Sequence, residues 1–185
     1  GFQLNSQIPA TASIGDTVNV IVTNTGDLEA TQTVDVRMSV SGEELVTSSE
    51  ALTLAPDEKE IVSVTIPTDT PRAGKTNAQW AAETNNGAEE GSTTIDFGSI
   101  QSAIDRASSG AMVRVAPGIY DESLTVTTDD LTIVGSDSTI ATSGTAVDVD
   151  APGVSIENFE LRDAAVGVNT TAPRTAVRAT TFHSS

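Results

Sequence analysis

The sequence predicts an all-β protein of two domains. Residues 1–96 are expected to form an immunoglobulin-like β-sandwich of about seven strands, and residues 97–185 a short right-handed parallel β-helix that begins with an N-terminal capping helix. Three observations lead to this prediction. Short alternating apolar runs separated by turns fill the first half, an apolar pattern repeats every 23 residues in the second, and one amphipathic segment lies between them.

The predicted sandwich is built from alternating runs that end in turn residues. One run ends at Asn24-Thr25-Gly26, another at Ser41-Gly42 and a third at Pro67. The dipeptide Asn86-Gly87 is a hairpin signal. Trp80 lies in an alternating run and is predicted to be sandwich core, with a sugar-stacking platform as the alternative. The alternating apolar positions are Val18, Val20, Val22, Val34, Val36, Met38, Val40, Ile61, Val62, Val64 and Ile66.

A resemblance supports this first domain. The segments "IGDTVNVIVTNTGD" and "LAPDEKEIVSVTIP" resemble the CARDB-type adhesion modules that are common on archaeal and bacterial cell surfaces. The likeness extends over nearly all of residues 1–96. It implies a structural or adhesive spacer and brings no general catalytic motif with it.

The segment between the domains is predicted to cap the first coil of the solenoid. Ile100, Ala103, Ile104 and Ala107 fall on one face of a short helix, and Ser99 is a suitable N-cap. An apolar helix face at this position would cover the interior of the first coil.

The repeat itself predicts stacked coils, about four in number. Leu124 and Val126 recur 23 residues later as Val147 and Val149. Equal spacing places equivalent residues one coil apart, so three residues should form one inward column: Leu131, Val154 and Val177. By the same spacing Ile133 and Ile156 are followed by Ala179.

The start of this repeat also resembles a known family. "IQSAIDRASSGAMVRVAPGIYDESLTV" followed by "DDLTIVGSDSTI" is similar to the N-terminal start of the pectin-lyase-like right-handed β-helices, which include pectin esterases, polysaccharide lyases and copper-processing periplasmic proteins. The likeness is close over roughly residues 97–140. It implies the fold and leaves the activity open.

Composition points to an exported protein. The chain has 26 acidic and nine basic residues, only two of them lysine, and a net charge of −17, which resembles the proteins of salt-loving archaea; an ordinary acidic secreted domain is the alternative. Such a charge argues against nucleic acid and anionic membranes as partners. No cysteine and no apolar run of membrane-spanning length occurs, so we expect no membrane span. Gly1 is either a processed mature terminus or a protease scar, and the expected location is extracellular, at the cell surface.

The residues that could carry chemistry favour a protein without catalytic, metal or cofactor sites. Asp148 and Asp150 alternate on one strand and could pair or help bind calcium, but a solvated face is the preferred interpretation. Asp129-Asp130 is expected to be a turn. The single histidine, His183, is followed by Ser184 and Ser185 at a position expected to fray. Asn169 begins the sequon Asn-Thr-Thr and is predicted to be a glycosylation site in a loop.

Two segments are predicted to form an assembly interface. The last coil presents Val177, Ala179 and Phe182 in register with the coil before it, and the sequence supplies no cap after them. At the other end, three apolar residues alternate or nearly alternate with polar ones: Phe2, Leu4 and Ile8. They form either the sandwich's own first strand or an arm exchanged between copies.

These observations together predict a non-catalytic extracellular structural protein, a self-assembling subunit of a haloarchaeal surface filament or surface assembly whose partner is a further copy of itself. A glycan-binding adhesin fragment that recognises surface glycans on the solenoid flank is one alternative. A truncated polysaccharide lyase or esterase, with its active coils beyond Ser185, is the other.

Overall fold

The structure, a computed structural model, describes residues 1–183 and divides the chain into two compact units. Unit 1 comprises residues 1–68 and 76–96, and unit 2 comprises residues 69–75 together with the chain from Phe97 onward. The segment 69–75, which the sequence assigns to the first domain, therefore belongs to the second unit. The last two residues, Ser184 and Ser185, lie outside the described part.

The first 96 residues contain nine strands. They are β1 (Phe2–Gln7), β2 (Thr11–Ser13), β3 (Thr17–Asn24), β4 (Ala30–Val40), β5 (Glu43–Leu54), β6 (Lys59–Thr65), β7 (Arg72–Ala73), β8 (Lys75–Thr84) and β9 (Gly87–Asp96). In unit 1, β1, β3 and β6 form an antiparallel sheet in that order, and a second sheet has the order β2-β9-β8-β4-β5.

Unit 1 thus has eight strands among the described residues, one more than predicted. The additional long strand is β5, a largely polar strand that lacks an apolar alternation and pairs with β4 along its whole length. Two sheets with alternating buried residues show the all-β class. The immunoglobulin-type arrangement stays a prediction.

The interior of unit 1 is formed by the alternating residues that the sequence identifies. Val20, Val34 and Val62 are completely buried, whereas Ile61, which the sequence groups with them, points outward and is 54% exposed. Asn24 is also buried; its amide donates to the carbonyl oxygens of Leu28 and Leu54, at 2.9 and 2.8 Å, so this polar side chain is satisfied.

Trp80 differs from the prediction in its degree of burial. It lies opposite Met38 in the β4–β8 ladder and on the same strand face as Ala78 and Ala82, which are buried. The indole itself is only partly buried and packs where Gly91 leaves room, since a Cβ there would approach Trp80 Cζ2 to 2.7 Å. Trp80 therefore belongs to the margin of the core.

Unit 2 is a parallel β-solenoid of about three turns, one fewer than predicted. After α1 (Ile100–Asp105) come β10 (Met112–Val115), β11 (Gly118–Tyr120), β12 (Leu124–Val126), β13 (Thr132–Ala141), β14 (Thr145–Val149), β15 (Ser155–Arg162), β16 (Val166–Thr170), β17 (Ala176–Arg178) and β18 (Thr181–His183). One sheet has the order β17-β15-β13-β10-β7, to which β11 and β18 are attached, and the other has the order β12-β14-β16.

The register corrects the predicted column. Residues 132–134 of β13 pair with residues of β15 23 positions later, as in Ile133 with Ile156, whereas residues 138–141 pair at a spacing of 21. Strand β15 pairs with β17 at a spacing of 21 as well, so Val177 lies on Ile156 rather than on Val154. Ala179 is not in an inward column; it is exposed and has a φ of 45°. The prediction holds for the first two coils and is wrong by two residues in the last.

Left-handed residues recur at the same corner of successive turns. One series occupies the turn that contains the predicted Asp129-Asp130 corner, and its members have φ values between 57° and 78°: Gly110, Asp130, Gly153 and Arg174. A second series, at a spacing of 21, contains Asp137, Asn158 and Ala179. Asn158 is therefore a corner residue of the solenoid, consistent with the tolerance of asparagine for this conformation.

The single helix in the described chain, α1, is where the sequence predicts it. Ser99 is its N-cap, and its side chain accepts from the Ser102 amide. Glu122 accepts from the amides of Ile100 and Gln101 at 3.0 Å, so a carboxylate lies at the positive end of the helix. Ile100, Ala103, Ile104 and Ala107 join the apolar interior of unit 2. A function as a solenoid cap stays a prediction.

Residues 69–75 are attached to unit 2 by hydrogen bonds. Strand β7 pairs in parallel with β10, and the Arg106 guanidinium donates to the carbonyl oxygens of Thr70, Arg72 and Phe97 at 2.6 to 2.7 Å. Burial lowers the pKa of Arg106 from its ordinary value. Residues 69–75 thus supply β7, the outermost strand of the solenoid sheet on that side.

Candidate assembly surface

Two apolar columns of the solenoid continue to strands that lie at sheet edges. In the first, the register partners are Tyr120, Ile140, Leu161 and Phe182; in the second, they are Val113, Ile133, Ile156 and Val177. Leu161 and Ile156 are each 1% exposed. Their neighbours Phe182 and Val177 are 56% and 41% exposed, although they occupy the same columns. Among the described residues, no further turn lies over these two side chains.

The backbone is open at the same side. Strands β16, β17 and β18 each pair with one neighbour, β14 for the first and β15 for the other two, and no strand among residues 1–183 pairs with their outer side. We call residues 164–183 the edge turn, and residues 143–163, on which they stack, the inner turn. Unpaired strand edges next to exposed apolar side chains are a ready site for strand addition.

The edge turn also differs in charge from the rest of the chain. All 26 acidic residues and seven of the nine basic residues lie in residues 1–163, which therefore carry −19, whereas residues 164–185 contain Arg174, Arg178 and no carboxylate side chain, and carry +2. The inner turn alone has five carboxylates and one arginine. The net charge of −17 does not show this change of sign. The positions of the charged residues along the sequence would have revealed it.

Some polar side chains of the edge turn interact with carboxylates of earlier turns. The Asn169 amide donates to Asp148 Oδ1 at 2.9 Å, and Arg178 is the register partner of Glu157. Arg174 Nη2 lies 3.8 Å from Asp130 Oδ1, but the arginine side chain is 71% exposed. Because such exposed pairs are worth little, the arginine charge stays available to a partner.

A second charged group surrounds Glu160, at the end of β15. Arg162 Nη2 donates to Glu160 Oε1 at 2.8 Å, Thr139 Oγ1 donates to Oε2 at 3.3 Å, and His183 Nε2 lies 3.7 Å from Oε1. The hydrogen bond from Arg162 lowers the pKa of Glu160, partial desolvation opposes this effect, and the charges of Arg162 and His183 add to the lowering. Of this group only His183 belongs to β18, and β18 pairs with β15 through its backbone.

The N-terminal residues of the predicted interface are used within the chain itself. Phe2 and Leu4 are buried, and β1 pairs with β3 from Phe2 opposite Asn24 to Gln7 opposite Asn19. Ile8 follows the strand and is partly buried. Of the two alternatives, the structure adopts the own-strand arrangement. Exchange of β1 between copies stays a prediction.

Asn169 does not lie in a loop as predicted. It belongs to β16, opposite Asp148, and is exposed, with its amide already hydrogen-bonded to that carboxylate. Glycosylation of this nitrogen would require the hydrogen bond to break. The sequon stays a candidate, with the strand as its setting.

A polar groove of about 550 Å³ lies on the flank of the solenoid, along the second series of left-handed corners. Its lining offers hydroxyl, amide and carboxylate groups, chiefly from Ser136, Asp137, Thr139, Asn158, Glu160 and Thr181. The described part of unit 1 has a smaller site, of about 440 Å³, beside Trp80 and Arg37.

The two carboxylates that the sequence singles out, Asp148 and Asp150, differ in their backbone setting. Asp148 is in β14 and accepts from Asn169, whereas Asp150 follows the strand and its amide donates to the Val126 carbonyl at 2.9 Å. Within residues 1–183 no group of three or more potential ligands is placed to hold a metal ion. None of the helices described there has the length and apolar character needed to cross a membrane.

Comparison with known proteins leaves the family open. No protein-family model and no curated protein matches the chain. Among solved structures, a Pseudomonas fluorescens alkylpurine DNA glycosylase, AlkC, bound to DNA containing an abasic site analogue is 13% identical, with a TM-score of 0.37, over 51% of this chain and 30% of the glycosylase. A Paenibacillus cycloisomaltooligosaccharide glucanotransferase complexed with cycloisomaltoheptaose is 20% identical, also with a TM-score of 0.37, over 65% of this chain and 15% of the enzyme. At these scores neither likeness bears on function.

Proposed function

We propose that the chain is a non-catalytic extracellular structural protein that assembles with further copies of itself at a cell surface, as a filament or surface array. The observation that carries the proposal is the pair Leu161 and Phe182, register partners of which one is 1% and the other 56% exposed. Burying such a side chain stabilises by about 1.5 to 3 kcal/mol. A contact that also pairs the strand edges would gain further stability from backbone hydrogen bonds.

Within this proposal unit 1 is a CARDB-like module of immunoglobulin type, and the source is a haloarchaeon. The two sheets of unit 1 are compatible with such a module, and the charge of −17 with two lysines supports a high-salt habitat. Salt should screen repulsion among carboxylates, so melting temperatures should rise between about 0.1 M and about 2 M potassium chloride. A flat or falling trend would remove the halophile part of the proposal.

Assembly is tested with one substitution and a matched control. Phe182→Asp places a charge in the proposed contact, while Ile61→Asp places the same charge on an equally exposed apolar residue of β6 in unit 1. In about 2 M potassium chloride, the unmodified chain and Ile61→Asp should sediment as polymers and Phe182→Asp as a monomer. The proposal fails if the unmodified chain stays monomeric at high concentration. It also fails if Phe182→Asp assembles as readily as the unmodified chain.

Deleting residues 1–8 would be a poor test of assembly. That deletion would remove β1, and with it Phe2 and Leu4 from the interior of the chain's own unit 1. Loss of assembly would then report unfolding. The substitution at Phe182 avoids this problem because more than half of the side chain is already in contact with solvent.

A glycan-binding adhesin is the second candidate, and the flank groove favours it. The groove combines the carboxylates of Asp137 and Glu160 with the Asn158 amide and several hydroxyl groups, which suit sugar hydroxyl groups. Titration with neutral oligosaccharides, followed by NMR of the unmodified chain and of Asn158→Gly, should shift groove resonances in the first and not in the second. Glycine keeps the left-handed corner at residue 158.

A further inference from the structure

The first turn of the solenoid consists of β10, β11 and β12 and lies at one side of both solenoid sheets. The chain both precedes and follows this turn, so the residues that cover it belong to the structure. Unpaired N–H and C=O groups at a sheet edge are a template for a strand from another molecule. What satisfies the outer backbone groups of each strand therefore decides whether this side can add a strand.

Strand β12 is covered by one side chain. Val126 faces the neighbouring strand, because its carbonyl oxygen accepts from the Asp150 amide at 2.9 Å, and the preceding residue, Thr125, turns its backbone groups to the other side. There Gln101 Oε1 accepts from the Thr125 amide at 2.8 Å, and Gln101 Nε2 donates to the Thr125 carbonyl oxygen at 3.0 Å. The carboxamide thus makes the pair of hydrogen bonds that an added strand would make.

The Gln101 carboxamide is held in this position from two sides. Its Nε2 also donates to Asp105 Oδ1, at 2.8 Å, one helical turn later in α1. The backbone amides of Ile100 and Gln101 donate to the Glu122 carboxylate at 3.0 Å, and Glu122 lies just before β12. The start of the helix is therefore tied to the strand that its glutamine covers.

Strand β10 is covered by β7, which belongs to the segment 69–75 between β6 and β8. The Arg114 amide donates to the Pro71 carbonyl oxygen and the Ala116 amide to the Ala73 carbonyl oxygen, both at 3.0 Å. Strand β7 becomes the outermost strand of this sheet in place of β10. It has only two residues, and very short edge strands are poor templates for further pairing.

Arg106 fastens the segment that carries β7. Its guanidinium donates to the Thr70 and Arg72 carbonyl oxygens at 2.7 and 2.6 Å. It also donates to the Phe97 carbonyl oxygen, and the Phe97 amide donates in turn to the Gly74 carbonyl oxygen at 2.9 Å. Removing the guanidinium would leave three carbonyl oxygens without this partner, which favours detachment of the segment from β10.

We infer that the first turn is closed to strand addition, with Gln101 covering β12 and Arg106 holding β7 over β10. Both are positioning residues, because they act on backbone groups of the two edges. Strand β11, which pairs only with β13 in the described chain, has three residues, a length that itself discourages pairing. The occupant that would add to an opened first turn is a second copy of this chain. The inference goes beyond the proposed function and does not depend on it.

Hydrogen exchange of single amides, followed by NMR, tests whether these residues close the edges. Gln101→Ala should speed exchange of the Thr125 amide about tenfold or more, and Arg106→Gln should do the same for the Ala116 amide. The Thr132 amide of β13 is the internal reference and should keep its rate. Unchanged exchange at the first two amides overturns the inference. An equal rise at Thr132 overturns it as well, because the substitution would then have loosened the whole sheet.

Gain of self-association tests the consequence. In the Phe182→Asp chain, which lacks the contact of the proposed function, Gln101→Ala with Arg106→Gln should lower the dissociation constant for self-association by about tenfold or more. Sedimentation in about 2 M potassium chloride measures it. The Thr125 amide should regain slow exchange as the protein concentration rises, because a strand of the second copy pairs with it. Gln101→Ala alone keeps the test available if Arg106→Gln does not fold, since the hydrogen bonds of this glutamine lie at the surface.

The matched control is Gln79→Ala with Arg37→Gln in the same Phe182→Asp chain. It replaces the same two residue types and changes the net charge equally, but both residues lie in unit 1, where Arg37 Nη2 donates to Glu83 Oε1 at 2.6 Å. It should stay monomeric. The inference is overturned if the control associates as the opened variant does, or if the folded opened variant stays monomeric. Failure of the unmodified chain to assemble would defeat the proposed function alone, because these comparisons are all made in the Phe182→Asp chain.

Discussion

The inner turn and the edge turn of the solenoid have the same backbone plan but differ in exposure and charge. Leu161 and Phe182 occupy one column, and Ile156 and Val177 another, yet the first member of each pair is buried and the second is exposed. Where the inner turn has Asp148 and Glu157, the edge turn has Asn169 and Arg178. The comparison shows that stacking position fixes which face a side chain occupies, whereas only a further neighbour can bury it.

The largest effect on the free energy of unfolding should come from replacing one of two register partners, Leu161 or Phe182, by alanine. Leu161→Ala removes a buried side chain and should destabilise unit 2 by about 2 to 5 kcal/mol. Phe182→Ala should cost less than about 1 kcal/mol in the monomer, because most of that ring is already exposed. Urea unfolding followed by hydrogen exchange of unit 2 peptides measures both, with unit 1 peptides as the internal control.

The cost of Phe182→Ala can also be compared between the monomer and the assembly. If a partner covers the edge turn, the cost of Phe182→Ala should rise toward that of a buried aromatic residue, about 3 to 5 kcal/mol. Equal costs in monomer and assembly would mean that the edge turn stays exposed. Equal costs for Leu161→Ala and Phe182→Ala in the monomer would contradict the difference between the two turns.

A smaller effect on stability is expected from replacing Gly135 or Gly167 by alanine, because each glycine lies against a side chain of the inner turn or the edge turn. A Cβ at Gly135 would come within 2.6 Å of the Asn158 carbonyl oxygen, a backbone atom, and 3.1 Å of the buried Phe159 ring. Gly135→Ala should therefore cost about 1 to 3 kcal/mol. A Cβ at Gly167 would meet the ring of Phe182, an exposed side chain that can rotate away.

Gly167→Ala is accordingly expected to be nearly neutral in the monomer. Gly144→Ala, where a Cβ meets nothing within 4 Å, controls for the general effect of replacing glycine. Thermal melts of the three variants make the comparison. A Gly167 variant as unstable as the Gly135 variant would indicate that Phe182 is as firmly held as the inner residues are.

Much of the fold could be predicted because the signals are local. Alternation located β3, β4 and β6, and a helix face with its N-cap located α1. Strand β5 was missed because its outward and edge positions carry polar residues, so it has no apolar alternation. Trp80 was placed too deep because alternation identifies a face and not the distance of a residue from the margin of the sheet.

The error in the last coil has a simple geometric reason. Val154 and Ile156 are both apolar and two positions apart, so a shift of two residues keeps every side chain on its face. A repeat of 23 and a repeat of 21 are then equally compatible with the apolar pattern. For the same reason the interface residues could be predicted in part: Phe182 and Val177 are exposed members of columns, whereas Ala179 is a corner residue.

The smallest effect concerns the charged group around Glu160, at the end of β15. The hydrogen bond from Arg162 lowers the pKa of Glu160, so the folded state favours the carboxylate. A depressed carboxyl pKa contributes stability that is present above the unfolded pKa of about 4.3 and is lost as pH falls through the folded value. Glu160→Gln should therefore lower the melting temperature of unit 2 at neutral pH, and the difference from the unmodified chain should vanish in acid. Asp27→Asn, which removes one carboxylate from unit 1, is the control for net charge. A difference for Glu160→Gln that is the same at every pH would show that Glu160 acts by packing rather than by charge.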